Sequence, residues 1–337
     1  MILATTQVED IDRFLEVFAS KGAVKREEHG CKGSTVFRDP SEENRVVSVA
    51  IAGGERIVLK FYRPGRWSLE GLREEVQFLV ELAAAGVPAV RPLSLAAADG
   101  IGTWKGIHYA CFEFVPSEPH PPEPWSEGAL RELGGLAASI HAVGQRHGAP
   151  NRMAIEPLGM GRENLALVEH GPLLPADLLG EYRALILEII ERGTPHFEGV
   201  PALRLHGDFG VHNLLRSSGG LVVADFDDFM IGPAAFDLTR LHMGLTTPWG
   251  DPSQDPEARR RARASFLAGY RERLPLADES LRPLETLWGL RMLWSDAWKC
   301  ARLHDPYFRA SRGFLRERRF WVQRLAALRE VAATLRP

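Results

Sequence analysis

The stretch "LRLHGDFGVHNLLRSSGGLVVADFDDFMIGP", residues 203–233, decides the fold because it sets acidic and amide side chains beside two apolar runs. "NLLR" and "LVVADF" are typical of strands, and "RSSGG" between them is typical of a turn. An ordinary buried hairpin avoids carboxylates because a charge is costly to remove from water. The acids therefore indicate a site at which carboxylate oxygens do chemistry.

The spacing of these polar residues matches the catalytic loop of protein kinases. In "HGDFGVHN", Asp208 precedes Asn213 by five positions, the spacing of H-R-D-x-x-x-x-N, in which the Asp accepts the hydroxyl proton and the Asn holds magnesium. Asp225 of "DFDD" ends the next strand, where the D-F-G aspartate stands in kinases. The pattern predicts phosphoryl transfer with Asp208 and Asp225 as catalytic residues and with Asn213 and Asp225 as magnesium ligands.

The rest of the chain predicts an α+β, two-lobed, protein-kinase-like fold. A short helix is expected at 7–20, β structure dominates from about 34 to 115, and "PSEPHPPEPWSE" at 116–127 breaks regular structure. We therefore expect a β-rich, nucleotide-binding lobe at 1–115 and a mainly helical catalytic lobe at 116–337. Helical patterns in the second lobe cover 126–143, 175–192, 256–273, 279–301 and 311–335.

The β-rich lobe supplies a cation for the phosphates. "VVSVAI" and "RIVLKFY" flank Gly53 and Gly54, which predicts a hairpin, and Lys60 takes the strand position of the kinase V-A-I-K lysine. The next helix, "SLEGLREEVQFLVELAAAG", carries Glu75 to orient this lysine, with Glu74 as the alternative partner.

Each of these residues also has a structural interpretation. Asp208 and Asn213 are common turn formers, and the acids of "DFDD" would serve as a solvated turn after a strand. Lys60 would serve as an edge-strand charge, and Glu75 would serve on a solvated helix face. The four elements together, in this chain order and on these secondary structures, favour the catalytic interpretation.

A metal-dependent hydrolase is a competing class, in which His206, Asp208 and His212 would be ligands. That interpretation leaves Lys60 and the β-rich lobe without a role, so we expect His206 to pack against the catalytic hairpin. A pseudokinase is the remaining alternative.

Composition excludes several other classes. The formal net charge is -3, which gives no general field for nucleic acid, and no window has about 18 uncharged apolar residues for a membrane span. Three separate cysteines and an acidic N-terminal stretch favour reduced thiols and a cytoplasmic location. We therefore expect neither nucleic acid nor membrane as a partner.

These motifs resemble the bacterial stress response kinase A family, within the aminoglycoside phosphotransferase and choline kinase superfamily. The resemblance rests on "HGDFGVHN" and "DFDDFMIGPAAFDLTRL", and also on "LKFYRPGRWS", "EEVQF", "GVPAVRPL" and "ARLHDPYF". It implies phosphorylation with ATP and Mg2+ as cofactors and with serine or threonine of a protein as the acceptor. It further implies that Lys60 binds phosphate and that Ser41 lies in the loop over the nucleotide.

The chain departs from the protein-kinase pattern at three places. No Gly-x-Gly-x-x-Gly precedes "RVVSV", so backbone amides from Ser41 to Asn44 are expected to cover the phosphates. Gly207 replaces the H-R-D arginine and Gly232 follows Asp225 by only seven positions, so gating by loop phosphorylation is not expected.

Two further groups are assigned from the same comparison. Backbone groups from Glu113 to Val115 are expected to meet adenine. Asp237 is expected to anchor the catalytic loop by accepting backbone hydrogen bonds rather than to meet substrate.

The acceptor is left open by the residues themselves, because acceptor pockets vary while the kinase core does not. A small-molecule kinase acting on an aminoglycoside, choline, sugar or amino-alcohol hydroxyl is the alternative. Late aromatic and acidic residues would line a pocket for such a cation or would be helix-packing core, which we favour: Trp249, Trp288, Trp294, Asp296 and Trp298. The arginine-rich late helices argue against a polycationic substrate.

Overall fold

The computed structural model describes residues 44–50, 56–120, 125–239, 256–303 and 313–336. The helix expected at 7–20, the turn at Gly53 and Gly54, Ser41 and Trp249 lie outside these residues. The chain divides into two compact units. The first comprises the described parts of Met1–His120 together with Ala149–Arg152 and His212–Asp227, and the second comprises the described remainder. This grouping differs from a single cut at 115/116, because 149–152 and 212–227 join the first unit.

The first unit is built on an antiparallel sheet. Its strands are β1 (Arg45–Ala50), β2 (Arg56–Phe61), β3 (Pro92–Leu93), β4 (Ile101–Trp104) and β5 (Ile107–Glu113). The order is β1-β2-β5-β3, with β4 also paired to β5. Strand β4 was not foreseen, because "IGTW" is short and contains a glycine. The pairing places Lys60 opposite Val46 on one side and Ala110 on the other, in the middle of the sheet.

One helix accompanies this sheet, α1 (Leu69–Ala84). Ser68 caps it, since its Oγ accepts a hydrogen bond from the amide of Gly71 at 3.1 Å. Leu72, Val76 and Leu79 are buried, as the apolar stripe predicts. The same helix turn therefore carries Glu75 inward, where the side chain is 1% exposed.

The hairpin that the sequence predicts to be catalytic lies in the first unit and consists of β7 (Leu214–Ser217) and β8 (Gly220–Val223). The ladder opens at the pair Leu214 and Val223, so Asn213 and Asp225 flank the same end. The amide of Ala224 donates to the carbonyl of Asn213 at 2.8 Å and extends the pairing by one step. Two residues that are distant in sequence thus come to one end of a short ribbon.

The second unit is mainly helical. Its helices are α2 (Glu127–Gly144), α3 (Pro157–Glu169), α4 (Ala176–Gly193), α5 (Ala235–Leu238), α6 (Pro256–Arg273), α7 (Leu284–Arg302) and α8 (Arg318–Thr334). Its two strands, β6 (Ala202–Leu205) and β9 (Met230–Pro233), pair antiparallel. The expected helices are present, with bounds shifted by up to seven residues. Helix α3 and the β6–β9 pair were not predicted.

The hydrophobic core of this unit lies among α3, α4, α7 and α8. Trp321 and Tyr182 are fully buried there, with ring centroids 6.0 Å apart. Trp288 and Trp298 pack against the same core. Asp296 is also buried, and it accepts a hydrogen bond from Tyr182 and pairs with Arg324 at 2.9 Å. Trp288, Trp298 and Asp296 are thus helix-packing residues, as predicted, and the ring centroid of Trp294 lies 6.3 Å from that of Phe236.

Arginines of α8, and Arg336 just after its end, are neutralised locally. Ion pairs to α4 and its first turn join Arg318 to Asp177, Arg329 to Glu181 and Arg336 to Glu188. On α6, Arg260 and Arg261 pair with Glu257. These five described arginines are therefore solvated and have acidic partners, so they give less net positive field than their number suggests. Among the described helices, none is both long enough and apolar enough to cross a bilayer.

Candidate active site

Lys60 is the centre of a buried charged cluster in the first unit. Its ammonium group lies 3.1 Å from Oε1 of Glu75, 2.8 Å from Oδ1 of Asp225 and 3.5 Å from Oδ1 of Asp227. Burial alone would lower the pKa of Lys60, but the three carboxylates outweigh it and hold that pKa well above its ordinary value. Lys60 is therefore a permanent cation. It joins strand β2, helix α1 and the end of the catalytic hairpin.

Packing behind the charges holds these elements together. Phe226, which follows Asp225, is buried, and its ring meets that of Phe78 on α1 edge-on at 5.8 Å. Burial raises the pKa of Glu75, and the neighbouring Lys60 opposes that effect. Glu74 is turned elsewhere, since its carboxylate accepts hydrogen bonds from the amide and the side chain of Asn151. Of the two adjacent glutamates, Glu75 pairs with Lys60.

Asp225 is held in an uncommon backbone conformation. Its φ is +59°, in the left-handed region that side chains other than glycine adopt rarely and at an energetic cost. Its side chain is half exposed, whereas those of Lys60 and Asp227 are buried. Strain of this kind is typical of functional positions.

The residues at this end of the hairpin fit a magnesium ion. Asn213 and Asp225 offer amide and carboxylate oxygens, and Mg2+ prefers such hard donors and completes its shell with waters and phosphate oxygens. Within the described residues, no group of three His, Cys, Asp or Glu side chains forms a protein-only metal site. Asn213 and Asp225 therefore suit a metal site in which the protein supplies two ligands and the nucleotide phosphates supply others.

Asp227 belongs to the structure of the cluster. Its side chain is 4% exposed and is paired with Arg66 of "KFYRPGRW". Burial would raise the pKa of Asp227, but Lys60 and Arg66 hold it below its ordinary value. Arg152 donates to the carbonyl oxygen of Asp227, and its guanidinium lies 3.9 Å from the ring centroid of Trp67. Arg66 of this motif therefore binds Asp227 directly, and Trp67 packs against Arg152, which binds the carbonyl oxygen of the same residue.

The nucleotide-contact predictions fare unevenly. The Oδ1 of Asn44 accepts from the amide of Arg63 at 3.1 Å, so the buried Asn44 side chain is used within the unit. The amide of Glu113 donates to the carbonyl of Arg91 at 2.9 Å, so it is not available to a base. Val115 follows the end of β5, and Ser41 lies outside the described residues.

Asp237 organises the catalytic loop in the second unit. Its two carboxylate oxygens accept from the amides of His206 and Gly207 at 2.9 and 2.8 Å. This confirms the anchoring role expected for Asp237. Behind it, Nε2 of His141 lies 3.0 Å from Oδ2 of Asp237, and Nδ1 of His141 lies 2.8 Å from the hydroxyl of Tyr270. The loop rests on a buried chain of hydrogen bonds.

Gly207 is required by the shape of this loop. Its φ is +84°, and a Cβ placed there would lie 1.9 Å from the carbonyl oxygen of Asp228. No side chain fits, and therefore an arginine in the loop itself is sterically impossible without a backbone shift. The next residue, Asp208, donates its amide to Nδ1 of His206 at 3.1 Å.

Arg291 of α7 is the residue that sequence reasoning missed. Its Nη2 lies 2.6 Å from Oδ1 of Asp208, and its Nη1 lies 3.1 Å from the carbonyl oxygen of Gly207. Burial lowers the pKa of Arg291 to about 10, and the group remains a cation at neutral pH. The only signal for Arg291 in the sequence is its charge inside the otherwise apolar run "LWGLRMLW".

The hydrolase alternative receives no support from these contacts. His206 is fully buried and its Nδ1 accepts the amide of Asp208, so that nitrogen is occupied by the loop. Asp208 in turn is paired with Arg291. His212 is exposed.

Comparison with known proteins identifies phosphotransferases and kinases as relatives. A family model described as "Phosphotransferase enzyme family" matches residues 37–276. Stress response kinase A of Escherichia coli (strain K12) is 27% identical over 296 residues, which are 88% of this chain and 86% of that protein. The serine/threonine protein kinase RdoA of Salmonella typhimurium is 29% identical over 285 residues, with 83% and 82% covered.

Solved structures share the fold at lower identity. An amicoumacin kinase, solved with AMP-PNP, Ca2+ and its ligand, has a TM-score of 0.69 at 16% identity, with 98% of each chain covered. A microcompartment-associated aminopropanol kinase has a TM-score of 0.66 at 17% identity, with 96% of each chain covered. Both are named for small-molecule acceptors.

Proposed function

The chain belongs to the phosphotransferase enzyme family, and from that membership we propose that this kinase moves the γ-phosphate of ATP to serine or threonine of a protein. The observation that carries the reaction type is the placement of Lys60 between Glu75 and Asp225 at 3.1 and 2.8 Å. A phosphotransferase needs a fixed cation for phosphate oxygens beside a carboxylate for metal.

The nucleotide is assigned to the lobe at 1–115. Lys60 binds phosphate oxygens, and Glu75 fixes the direction of its ammonium group. The backbone at Glu113 and Val115 meets adenine through groups other than the Glu113 amide, which bonds to Arg91. The backbone at Ser41 and Asn44 covers the phosphates.

Asn213 and Asp225 are assigned to Mg2+. These two residues would hold the ion, which would supply positive charge against the negative phosphate oxygens. Asp225 contributes a half-exposed carboxylate that contacts Lys60. Its backbone has a φ of +59° at the end of the hairpin. The amide of Ala224 holds the two ligand-bearing residues in step by bonding to the Asn213 carbonyl.

Asp208 is assigned as the proton acceptor in the lobe at 116–337. Its carboxylate orients the acceptor hydroxyl and takes its proton as the new phosphorus–oxygen bond forms and the bond to ADP breaks. Support comes from the anchoring of the two preceding amides by Asp237. Such a held loop can keep one carboxylate in place without a rearrangement during the reaction.

A protein acceptor is favoured by the relatives, which include one named as a serine/threonine protein kinase with 83% of this chain covered. The charge argument against polycations carries less weight than the sequence suggests, because Arg318 and Arg329 of α8 and the following Arg336 pair with acids of α4. A small-molecule hydroxyl is the second candidate, favoured by the aminopropanol and amicoumacin kinases that share the fold.

The two candidates are separated by a transfer assay with labelled ATP and Mg2+. Wild type and Asp208→Asn are incubated with casein, with a basic protein, and with kanamycin, choline, aminopropanol and simple sugars. We expect label on serine or threonine of protein, including the enzyme itself, and none with Asp208→Asn. Efficient labelling of a small hydroxyl compound with no labelled protein would establish the second candidate instead.

We propose a cytoplasmic location, where ATP would be supplied. The partners of the enzyme are then ATP and a hydroxyl-bearing acceptor, with no part assigned to nucleic acid or membrane.

A further inference from the structure

We propose that Arg291 is the positioning residue that holds the carboxylate of Asp208 for proton acceptance, an inference that rests on the proposed function. Its guanidinium reaches two consecutive residues of the catalytic loop, the Oδ1 of Asp208 at 2.6 Å and the carbonyl of Gly207 at 3.1 Å. Two contacts from one planar group fix both the direction and the rotation of the carboxylate-bearing segment.

The arginine is itself held firmly. It is 6% exposed, and its guanidinium lies 4.8 Å from the ring centroid of Phe236 on α5. It extends from the middle of α7, whose neighbouring residues Leu290 and Met292 are buried. A side chain packed in this way has little rotational freedom left to lose. The pair with Asp208 is therefore part of a rigid support rather than a mobile surface contact.

The loop is shaped to receive this arginine. Gly207 has a φ of +84° and no room for a side chain, and its carbonyl oxygen accepts the guanidinium of Arg291. The loop cannot carry an arginine of its own at this position. A cation from a helix 83 positions later in the chain supplies the charge instead.

The surrounding charges decide what the pair does to proton transfer. Arg291 and His206 face Asp208, whereas Asp228 and Asp237 face Arg291 from the loop before β9 and from α5. A neighbouring cation favours the ionised carboxylate. Asp208 thus begins each turnover ready to take the hydroxyl proton, with Oδ1 pinned by the arginine.

The test compares Arg291→Met and Arg291→Lys with the wild type, and uses Arg302→Met at the far end of α7 as the matched control. For Arg291→Met we expect kcat to fall about 10- to 100-fold while KM for ATP stays within about twofold. The acidic limb of the kcat/KM profile moves to higher pH by about one unit, because the carboxylate has lost its cation. Arg291→Lys recovers part of kcat and keeps the wild-type limb. Arg302→Met behaves as the wild type.

A loss of folding alone would lower the amount of active enzyme without moving the acidic limb of the kcat/KM profile. Activities are therefore expressed per folded molecule, and folding of each variant is checked by thermal melting. An unmoved limb with wild-type kcat in Arg291→Met overturns the inference. If that variant does not fold, Arg291→Lys decides, since it keeps the charge and loses the two-pronged contact. We then expect at least about a threefold fall in kcat at unchanged KM, and a wild-type kcat overturns the inference.

Asp208→Asn is measured beside these variants to keep the two proposals apart. Full transfer by Asp208→Asn rejects the proton-acceptor assignment itself. An inactive Asp208→Asn together with unaffected Arg291 variants rejects only the role of Arg291.

Discussion

The ammonium group of Lys60 lies 3.1 Å from Oε1 of Glu75, fifteen positions later on helix α1. The neighbouring Glu74 points to Asn151 instead. Two adjacent residues of the same type therefore have different tasks. Glu75 holds the ammonium group of Lys60, and Glu74 makes an exposed contact between two segments of the first unit.

This difference predicts a contrast between two matched variants. Glu75→Gln should lower kcat/KM for ATP about tenfold or more, because Lys60 loses the charge that holds it on the α1 side. It should also cost about 1–3 kcal/mol of unfolding free energy, since a buried charged contact is lost. Glu74→Gln should stay within about 0.5 kcal/mol of the wild type with near-normal kinetics. Denaturant unfolding and ATP-dependent rates measure both, and equal effects would contradict the pairing.

Asp225 should decide the magnesium dependence of nucleotide binding. ATP with Mg2+ should stabilise the wild type by about 2.7 kcal/mol at a hundredfold excess of ligand over Kd. Its melting temperature should rise accordingly. Asp225→Asn should lose the magnesium-dependent part while keeping the backbone, because Asn tolerates the left-handed region. Asp225→Ala should lose the same part and be less stable by about a further 1 kcal/mol. A full magnesium-dependent shift in either variant would refute the ligand assignment.

Gly207 and Gly65 form a second matched pair. Both have positive φ, +84° and +78°, but a Cβ at Gly65 meets nothing within 4 Å, whereas at Gly207 it meets the carbonyl oxygen of Asp228. Gly65→Ala should cost about 1–2 kcal/mol from backbone strain alone. Gly207→Ala should cost about 3 kcal/mol or more and abolish transfer, because the loop must shift. Thermal unfolding and the labelled-phosphate assay compare the two, and similar losses would contradict the steric argument.

Asp237 predicts how stability responds to acid. Burial alone would raise its pKa, but the hydrogen bond from His141 and the backbone contact at His206 hold the pKa of Asp237 below its ordinary value of 3.8. Its contribution is therefore complete above the ordinary value and is lost as pH falls through the lower folded value. Asp237→Asn should be less stable at pH 7 but lose stability less steeply below about pH 4. Unfolding free energies measured from pH 7 to pH 3 test this, and parallel slopes would contradict it.

The features that the sequence predicted are those written in local spacing. The hairpin at β7 and β8 and the helix α2, within one residue at each end, follow from turn residues and periodicity. These signals act between neighbours in the chain, so one sequence is enough to find them. The anchoring role of Asp237 was expected from the family resemblance instead.

The features that the sequence missed depend on distant packing. Helix α3 begins with a proline and contains two glycines, so its apolar stripe is weak. The ladder between β6 and β9 joins segments whose apolar runs are only four residues long. Arg291 meets Asp208 across 83 positions, and nothing near either residue marks the other. Only the folded arrangement of α7 and the loop reveals that contact.

The ladder of β9 on β6 occupies four residues, Met230–Pro233, of the short chain segment between Asp225 and Asp237. Leu205 pairs with Met230 and Ala202 pairs with Pro233, so four consecutive residues are already committed to a partner strand. Phosphorylation could rearrange these four residues only by breaking their pairing with β6. For a cell, the output of such an enzyme would then follow the number of copies it makes and the supply of substrate, rather than a switch carried on each copy.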